Sequence, residues 1–274
     1  MFLYVKIISI FKIRRGFFLM KYCRFLHGGL IKYGMIDVDR VIELQGSYIR
    51  KSSAPTDRMH YLNEVTLLSP VEPAQVVAIG LNYVDHAKEL SLPLPKEPMM
   101  FMVSPTAVTG PDEAILLAHP EHRIDFEAEL AIVIGKKAHK VPAEHALRYV
   151  FGYTIALDIS DRDLQERDGQ YTRAKSYPTY KPMGPVVETD LQPNRVGIQL
   201  KQNGLLKQDG TTRQFVHPIE KIVEAVTEVM TLYPGDVILT GTPAGVDRLQ
   251  DGDVLETTID GIGTLKNSVV ALQP

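Results

Sequence analysis

The sequence predicts an α+β protein in which strands dominate. Short β-rich pieces outnumber helical ones. Helices do not alternate with strands one for one, as a doubly wound sheet would require. The clearest helical period falls in one segment, 218–232, where Ile219, Ile222, Val223, Val226 and Met230 line one face.

In chain order, segments 30–37, 40–45 and 65–69 read as strands punctuated by Gly28-Gly29, Gly46 and the 37–39 turn. Together they predict a small N-terminal β subdomain over 20–70, packed on a larger domain over 71–274. Residues 76–79 are a buried strand and 83–90 a short helix. Residues 91–98, with three prolines, form a loop. The strongest strand is 127–134, ending at Gly135, and another, 151–157, runs into Asp158. Residues 160–168 are helical in composition, and 236–240, 254–259 and 264–272 return to β.

Composition narrows the function. The chain has 274 residues, 30 Lys+Arg against 33 Asp+Glu, and a net charge of −3. That balance argues against a nucleic-acid binder, which needs a basic surface. A single cysteine excludes a disulfide framework and any CxxC metal knuckle. No apolar run is long enough to span a bilayer, and the composition fits the cytoplasm. Residues 1–19 carry Lys6, Lys12, Arg14 and Arg15 and no acid. The basic residues break any signal-peptide core and would surround a helix rather than line one face. This stretch reads as a disordered arm, or as lying upstream of a true start at Met20. Cys23 reads as a small buried apolar residue. No dinucleotide, P-loop, zincin or nucleophile-elbow motif is present.

Three groups of residues carry candidate chemistry. Glu127 and Glu129, two apart in a strand, point to one face, and Asp158 ends a second buried strand. Three carboxylates without His or Cys suit a hard cation such as Mg²⁺, Mn²⁺ or Ca²⁺. Spacing alone equally allows two solvent-facing glutamates and a helix-capping Asp158. His86 and Glu89 are three apart and share a helix face. A carboxylate so placed would orient a general base, although an ordinary solvated face has the same spacing. Lys175, in a polar segment, reads by itself as a surface charge.

Six stretches, taken together and in order, resemble the fumarylacetoacetate hydrolase family. They are IGLNYVDHAKE, IDFEAELAIVIGKKA, GYTIALDISDRDLQ, GQYTRAKSYPTYKPMGP, NGLLKQDGTT and MTLYPGDVILTGTPAGV. The likeness covers most of residues 20–274. It implies a mixed β-sandwich roll, usually dimeric, acting on small 2-oxo and 1,3-diketo acids. It implies a divalent ion, generally Mg²⁺ or Mn²⁺, on Glu127, Glu129 and Asp158. It places the catalytic dyad at His86 and Glu89, the catalytic lysine at Lys175, and substrate contacts at Arg162, Gln165 and Thr242. Two positions depart from the family's common pattern. Tyr177-Pro178-Thr179 stands where many members have Phe-Asp-Thr, and Phe101-Met102-Val103-Ser104 lacks a lysine or arginine many carry. Both bear on which acyl group fits rather than on the chemistry.

On this resemblance the expected activity is C–C cleavage of an acylpyruvate through an enolate. Oxaloacetate decarboxylation and 2-hydroxyhepta-2,4-diene-1,7-dioate isomerisation share that intermediate. A non-catalytic scaffold on the same fold is the alternative of another class. Such a protein would be expected to have lost a carboxylate, the dyad or the lysine, and all are present. The expected partners are a small 2-oxo acid and a second copy of the chain, with no nucleic acid and no membrane.

Overall fold

The structure, a computed structural model, describes residues 20–49 and 53–272. The expectation for residues 1–19 lies outside them. Four antiparallel strands open the chain: β1 (Lys21–His27), β2 (Leu30–Asp37), β3 (Arg40–Leu44) and β4 (Pro55–Tyr61), with β5 (Thr66–Leu68) added beside β1. Next come β6 (Val76–Gly80), helix α1 (Val84–Glu89), β7 (Met99–Val103), β8 (Val108–Thr109), β9 (Ile115–Leu117) and β10 (Ile124–Phe126). The middle holds β11 (Ala128–Ile134), β12 (Val150–Leu157), β13 (Ser160–Asp161), helix α2 (Arg162–Asp168) and β14 (Lys181–Glu188). The last part holds β15 (Gly197–Gln202), β16 (Leu205–Thr211), helix α3 (Ile219–Val229), β17 (Val237–Leu239), β18 (Asp247–Arg248), β19 (Val254–Ile259) and β20 (Gly263–Ala271).

The largest sheet runs β4-β3-β2-β1-β14-β12-β11-β17-β6-β7. A five-stranded sheet, β16-β15-β19-β20-β9, packs against its β12–β14 region. A third, small sheet runs β13-β10-β18. The N-terminal meander joins the rest through a two-residue register, Lys21 on Glu188 and Tyr22 on Val187. Aromatic packing reinforces that seam: Tyr22 and Tyr48 lie against Phe151 at 5.4 and 5.6 Å between ring centroids.

Patterning explains the layers. All seven residues of β11 are buried, because β12 and β17 pair with its two edges and its faces are covered. β15 and β20 alternate buried and exposed residues, as strands with one covered face must. α3 buries Ile219, Ile222, Val223 and Val226, the apolar stripe its sequence period predicts. Cys23 is fully buried as expected. The segment-by-segment reading did not name β1, β4, β7, β8, β9, β10, β14, β15, β16 or β18, and it took β13 as the start of a helix. β14 begins Lys-Pro-Met-Gly-Pro, and prolines and glycine there hide a strand from propensity.

Two consequences separate core from surface. Ile132→Ala, in the sheet's interior, is expected to cost about 2–5 kcal/mol. Leu205→Ala, at a residue 67% exposed, should stay within about 0.5 kcal/mol. Urea melts of the two variants check both.

Candidate active site

The site forms where β11, β12 and the turn after β17 converge. Glu127 stands at the break between β10 and β11, rather than inside one strand with Glu129 as the sequence suggested. Its carbonyl accepts the Asp158 N–H at 2.9 Å, which holds Asp158 beside it at the end of β12. Glu127, Glu129 and Asp158 are all buried, and each offers a carboxylate oxygen within 4.8 Å of the others. The solvent-facing alternative for the two glutamates is therefore not what the fold adopts.

Three carboxylates out of water demand compensation. Lys175, far from being a surface charge, is buried, and its Nζ donates to Glu127 Oε2 at 2.8 Å and Asp158 Oδ2 at 2.6 Å. Burial alone would discharge it, but Asp158 and Glu127 outweigh that and hold the ammonium above its usual value. Burial likewise opposes ionisation of Glu127, and Lys175 and Arg162 overcome it, keeping the carboxyl well below the ordinary range. Lys181, fully buried, brings its Nζ to 2.7 Å from Asp158 Oδ1. Burial dominates there and pulls this lysine below its usual value. Its sequence neighbours carried no sign of a buried cation, and only the fold of β14 turns it inward.

Arg162 opens α2 and donates to Glu127 Oε1 at 2.6 Å, Asp125 Oδ2 at 2.9 Å and Gln165 Oε1 at 2.9 Å. Two of the three residues expected to contact substrate, Arg162 and Gln165, are thus bonded to each other, and the guanidinium braces Glu127. Thr242 is buried and accepts from Gln208 Nε2 at 2.8 Å. Gln208, which the sequence reading passed over, also accepts the Ala128 N–H at 2.9 Å and donates to the Pro243 carbonyl at 2.8 Å. It ties the glutamate-bearing strand to the Gly241–Gly245 turn.

That turn joins the two halves of the site. The Gly241 N–H donates to Glu129 Oε2 at 2.7 Å, and the Gly245 N–H to Glu89 Oε1 at 3.0 Å. Both glycines have positive φ, +90° and +94°, and a Cβ on Gly245 would collide with the Lys207 carbonyl. On α1, His86 Nδ1 lies 2.9 Å from Glu89 Oε2, so the shared face read from the sequence is real.

The residues present fit a divalent cation. Glu129 has one N–H donor and no cationic partner among the described residues. Burial and the charges of Asp158 and Glu127 push its carboxyl well above its ordinary value. Asp158 Oδ1, despite the nearby Lys181 charge, is buried without a hydrogen-bond partner. An all-oxygen set with one uncompensated carboxylate suits a hard ion such as Mg²⁺ or Mn²⁺.

A strand-dominated α+β sandwich with a buried acidic pocket defines a class of enzymes, and comparison with known proteins narrows it. Residues 75–270 match the family model described as fumarylacetoacetate (FAA) hydrolase, C-terminal. Residues 20–70 match one described as Rv2993c-like, N-terminal. The chain belongs to the fumarylacetoacetate hydrolase family and is an enzyme of that family. It is 40% identical to human mitochondrial oxaloacetate tautomerase FAHD2A over 76% of this chain and 70% of that protein. Its structure resembles a 5-carboxymethyl-2-hydroxymuconate delta-isomerase from Mycobacterium smegmatis, with TM-score 0.87, 39% identity, and 92% and 100% of the two chains covered. It also resembles a fumarylacetoacetate hydrolase from Exiguobacterium antarcticum, with TM-score 0.81, 34% identity, and 92% and 100% covered. No helix among the described residues is long and apolar enough to cross a membrane.

The charge pattern has a consequence for stability. Glu129's folded pKa is raised above the ordinary 4.5, so the folded state holds this proton more tightly than the unfolded chain. Its unfavourable contribution is absent below pH 4.5 and grows as pH rises through the folded value. In chelator, Glu129→Gln should therefore melt later than wild type at pH 7 and with it at pH 4. Its Mn²⁺ affinity should fall by more than about 100-fold, beyond the loss expected for an outer-shell change. Urea melts and calorimetric titration measure the two effects.

Proposed function

We propose that this enzyme moves a proton between the enol and keto forms of a small 2-oxo dicarboxylic acid, as a tautomerase or isomerase. The observation that carries this reading is the Gly241–Gly245 turn. It holds a single His–Glu acid–base pair at one end and the carboxylate cluster at the other. Keto–enol exchange moves one proton on and one off, and needs one such pair. The tautomerase and isomerase named among the similar proteins support the same class.

Glu127, Glu129 and Asp158 would hold Mg²⁺ or Mn²⁺. When bound, that ion supplies positive charge to the substrate's 2-oxo acid end and lowers the cost of enol formation. Lys175 adds a buried positive charge beside the same carboxylates, where negative charge develops on the substrate oxygen. Glu89 accepts the His86 Nδ1 proton and is itself held by the Gly245 N–H. This leaves His86 Nε2 to deliver or remove the proton at the carbon next to the carbonyl. Arg162 and Gln165 keep Glu127 in place, and Thr242 holds the turn through Gln208. The loop over residues 91–98 is tied to the body by His217 Nε2, 3.1 Å from the Pro95 carbonyl. It lies directly after α1 and would close over the dyad.

Acylpyruvate hydrolysis, favoured by the sequence reading, is the second reading. Its support is the exposure of the Glu89 side chain, 41%, which lets water reach the dyad. Oxaloacetate decarboxylation needs neither water nor a base. The remaining parts of the reading are a homodimer and a cytoplasmic setting.

The test offers enol-oxaloacetate, acetylpyruvate and fumarylpyruvate to Mg²⁺- or Mn²⁺-loaded enzyme with a chelator control. Enol loss is followed by absorbance, and products by chromatography. Chelator-sensitive ketonisation without pyruvate release is expected. His86→Ala should slow it by at least about 100-fold, the usual worth of a positioned acid–base group. Pyruvate and a carboxylic acid from an acylpyruvate, with no effect on enol decay, would give the hydrolase reading the site. Pyruvate and CO₂ from oxaloacetate would give it to decarboxylation.

A further inference from the structure

A second cluster lies outside the carboxylate pocket, in the segment that leads into β10. His119, Glu121 and His122 each offer a ligand atom within 4.8 Å of the others. His119 Nδ1 is 3.6 Å and His122 Nε2 3.7 Å from the same atom, Glu121 Oε1. These separations are too long for hydrogen bonds. They approach the ligand–ligand spacing of about 3.4 Å that tetrahedral bonds of about 2.0–2.1 Å require.

The other nitrogen of each ring is already anchored. His122 Nδ1 donates to Asp161 Oδ2 at 2.8 Å, and Asp161 is fully buried. His119 Nε2 meets the Tyr177 hydroxyl at 3.0 Å. The Asp161 carboxylate can only accept, so His122 Nδ1 is the donor and its Nε2 is left free to bind a metal; the Tyr177 hydroxyl can accept from His119 Nε2 in the tautomer that leaves Nδ1 free. The rings stack with centroids 4.7 Å apart and planes 24° apart, which holds them side by side. Tyr177 is the residue that stands where many family members have phenylalanine, and its hydroxyl supplies one of the two anchors. The Glu121 carboxylate has no Lys or Arg partner among the described residues. Arg248 donates to the Glu121 and His122 carbonyls, at 3.4 and 2.9 Å, and not to the Glu121 carboxylate. The histidine–carboxylate cluster of the N-terminal meander differs in this respect. There Glu43 is paired with Lys32 and Arg58 as well as His60.

We propose that His119, Glu121 and His122 form a second metal site, taking a divalent transition cation of the Zn²⁺, Ni²⁺ or Cu²⁺ kind with water in the remaining position. Two imidazoles and one carboxylate select such ions over Mg²⁺. The site would staple three segments that border the pocket. These are the approach to β10, the Asp161 cap of α2 that sets Arg162, and the loop that carries Lys175 and Tyr177.

The test adds one equivalent of Cu²⁺ to the full chain in saturating Mg²⁺ and records its paramagnetic resonance spectrum. Mg²⁺ occupies the all-oxygen site, which has no imidazole to contribute nitrogen couplings. Couplings from two imidazole nitrogens are expected. His119→Gln should reduce them to one, and Tyr177→Phe should weaken binding about tenfold with both couplings retained. His145→Gln, at an exposed residue outside both sites, should leave the spectrum unchanged. Unchanged melting of each variant without metal shows that folding is intact. A spectrum without nitrogen couplings, or one that His119→Gln leaves unaltered, overturns the site.

Discussion

Desolvated charge governs this molecule. Glu127, Glu129 and Asp158 sit at the ends of β11 and β12, two buried and largely apolar strands. Such groups stay buried only if cations and donors are brought to them. The chain brings Lys175 from a loop, Lys181 from the first position of β14, and Arg162 from the start of α2. Each comes from a different part of the sequence, so the pocket exists only when the whole central sheet has assembled. The compensation is uneven. Asp158 faces two ammonium groups, and Glu129 faces a single backbone N–H. That asymmetry leaves Glu129 the one carboxylate of the cluster without a cationic partner among the described residues.

The Gly241–Gly245 turn converts this electrostatic feature into a site. Positive φ at both ends lets the backbone pass close to Asn82 at one end and Lys207 at the other. Two of its N–H groups are thereby aimed at carboxylates of opposite role, one in the cluster and one in the dyad. Gln208 secures the turn from below through three hydrogen bonds. The His86–Glu89 pair and the carboxylate cluster are thus positioned by one short piece of backbone.

The surroundings differ from the pocket in how they are stabilised. The N-terminal meander meets the rest of the sheet over two residue pairs, an aromatic seam, and bonds from Thr189 to the Met20 carbonyl and from Lys21 Nζ to the Ile262 carbonyl. The cluster at His119 and His122 is coupled to the pocket through hydrogen bonds to Asp161 and Tyr177, and so through α2 and the lysine loop.

Much was legible in the amino-acid sequence, for physical reasons. The unbroken apolar run Leu130–Ile134 must be buried on both faces, so it reads as a central strand. The 3.6-residue period of 219–230 leaves no alternative to an amphipathic helix. The His86–Glu89 spacing defines a pair on any helix. Six motifs in order defined the family, and with it the candidate ligands. Other features had no local signature. Spacing could not tell whether Glu127 and Glu129 face solvent, because burial depends on strands contributed from residues 150–157 and 237–239. Lys175 and Lys181 look like ordinary surface lysines, and Gln208 like an ordinary hairpin residue. Only long-range pairing turns them inward, since a charge or amide acquires its role from what the fold places across from it. Periodicity and motif order are properties of the chain alone. Burial, charge compensation and the meeting of the dyad with the carboxylates belong to the tertiary structure, because each needs partners far apart in sequence.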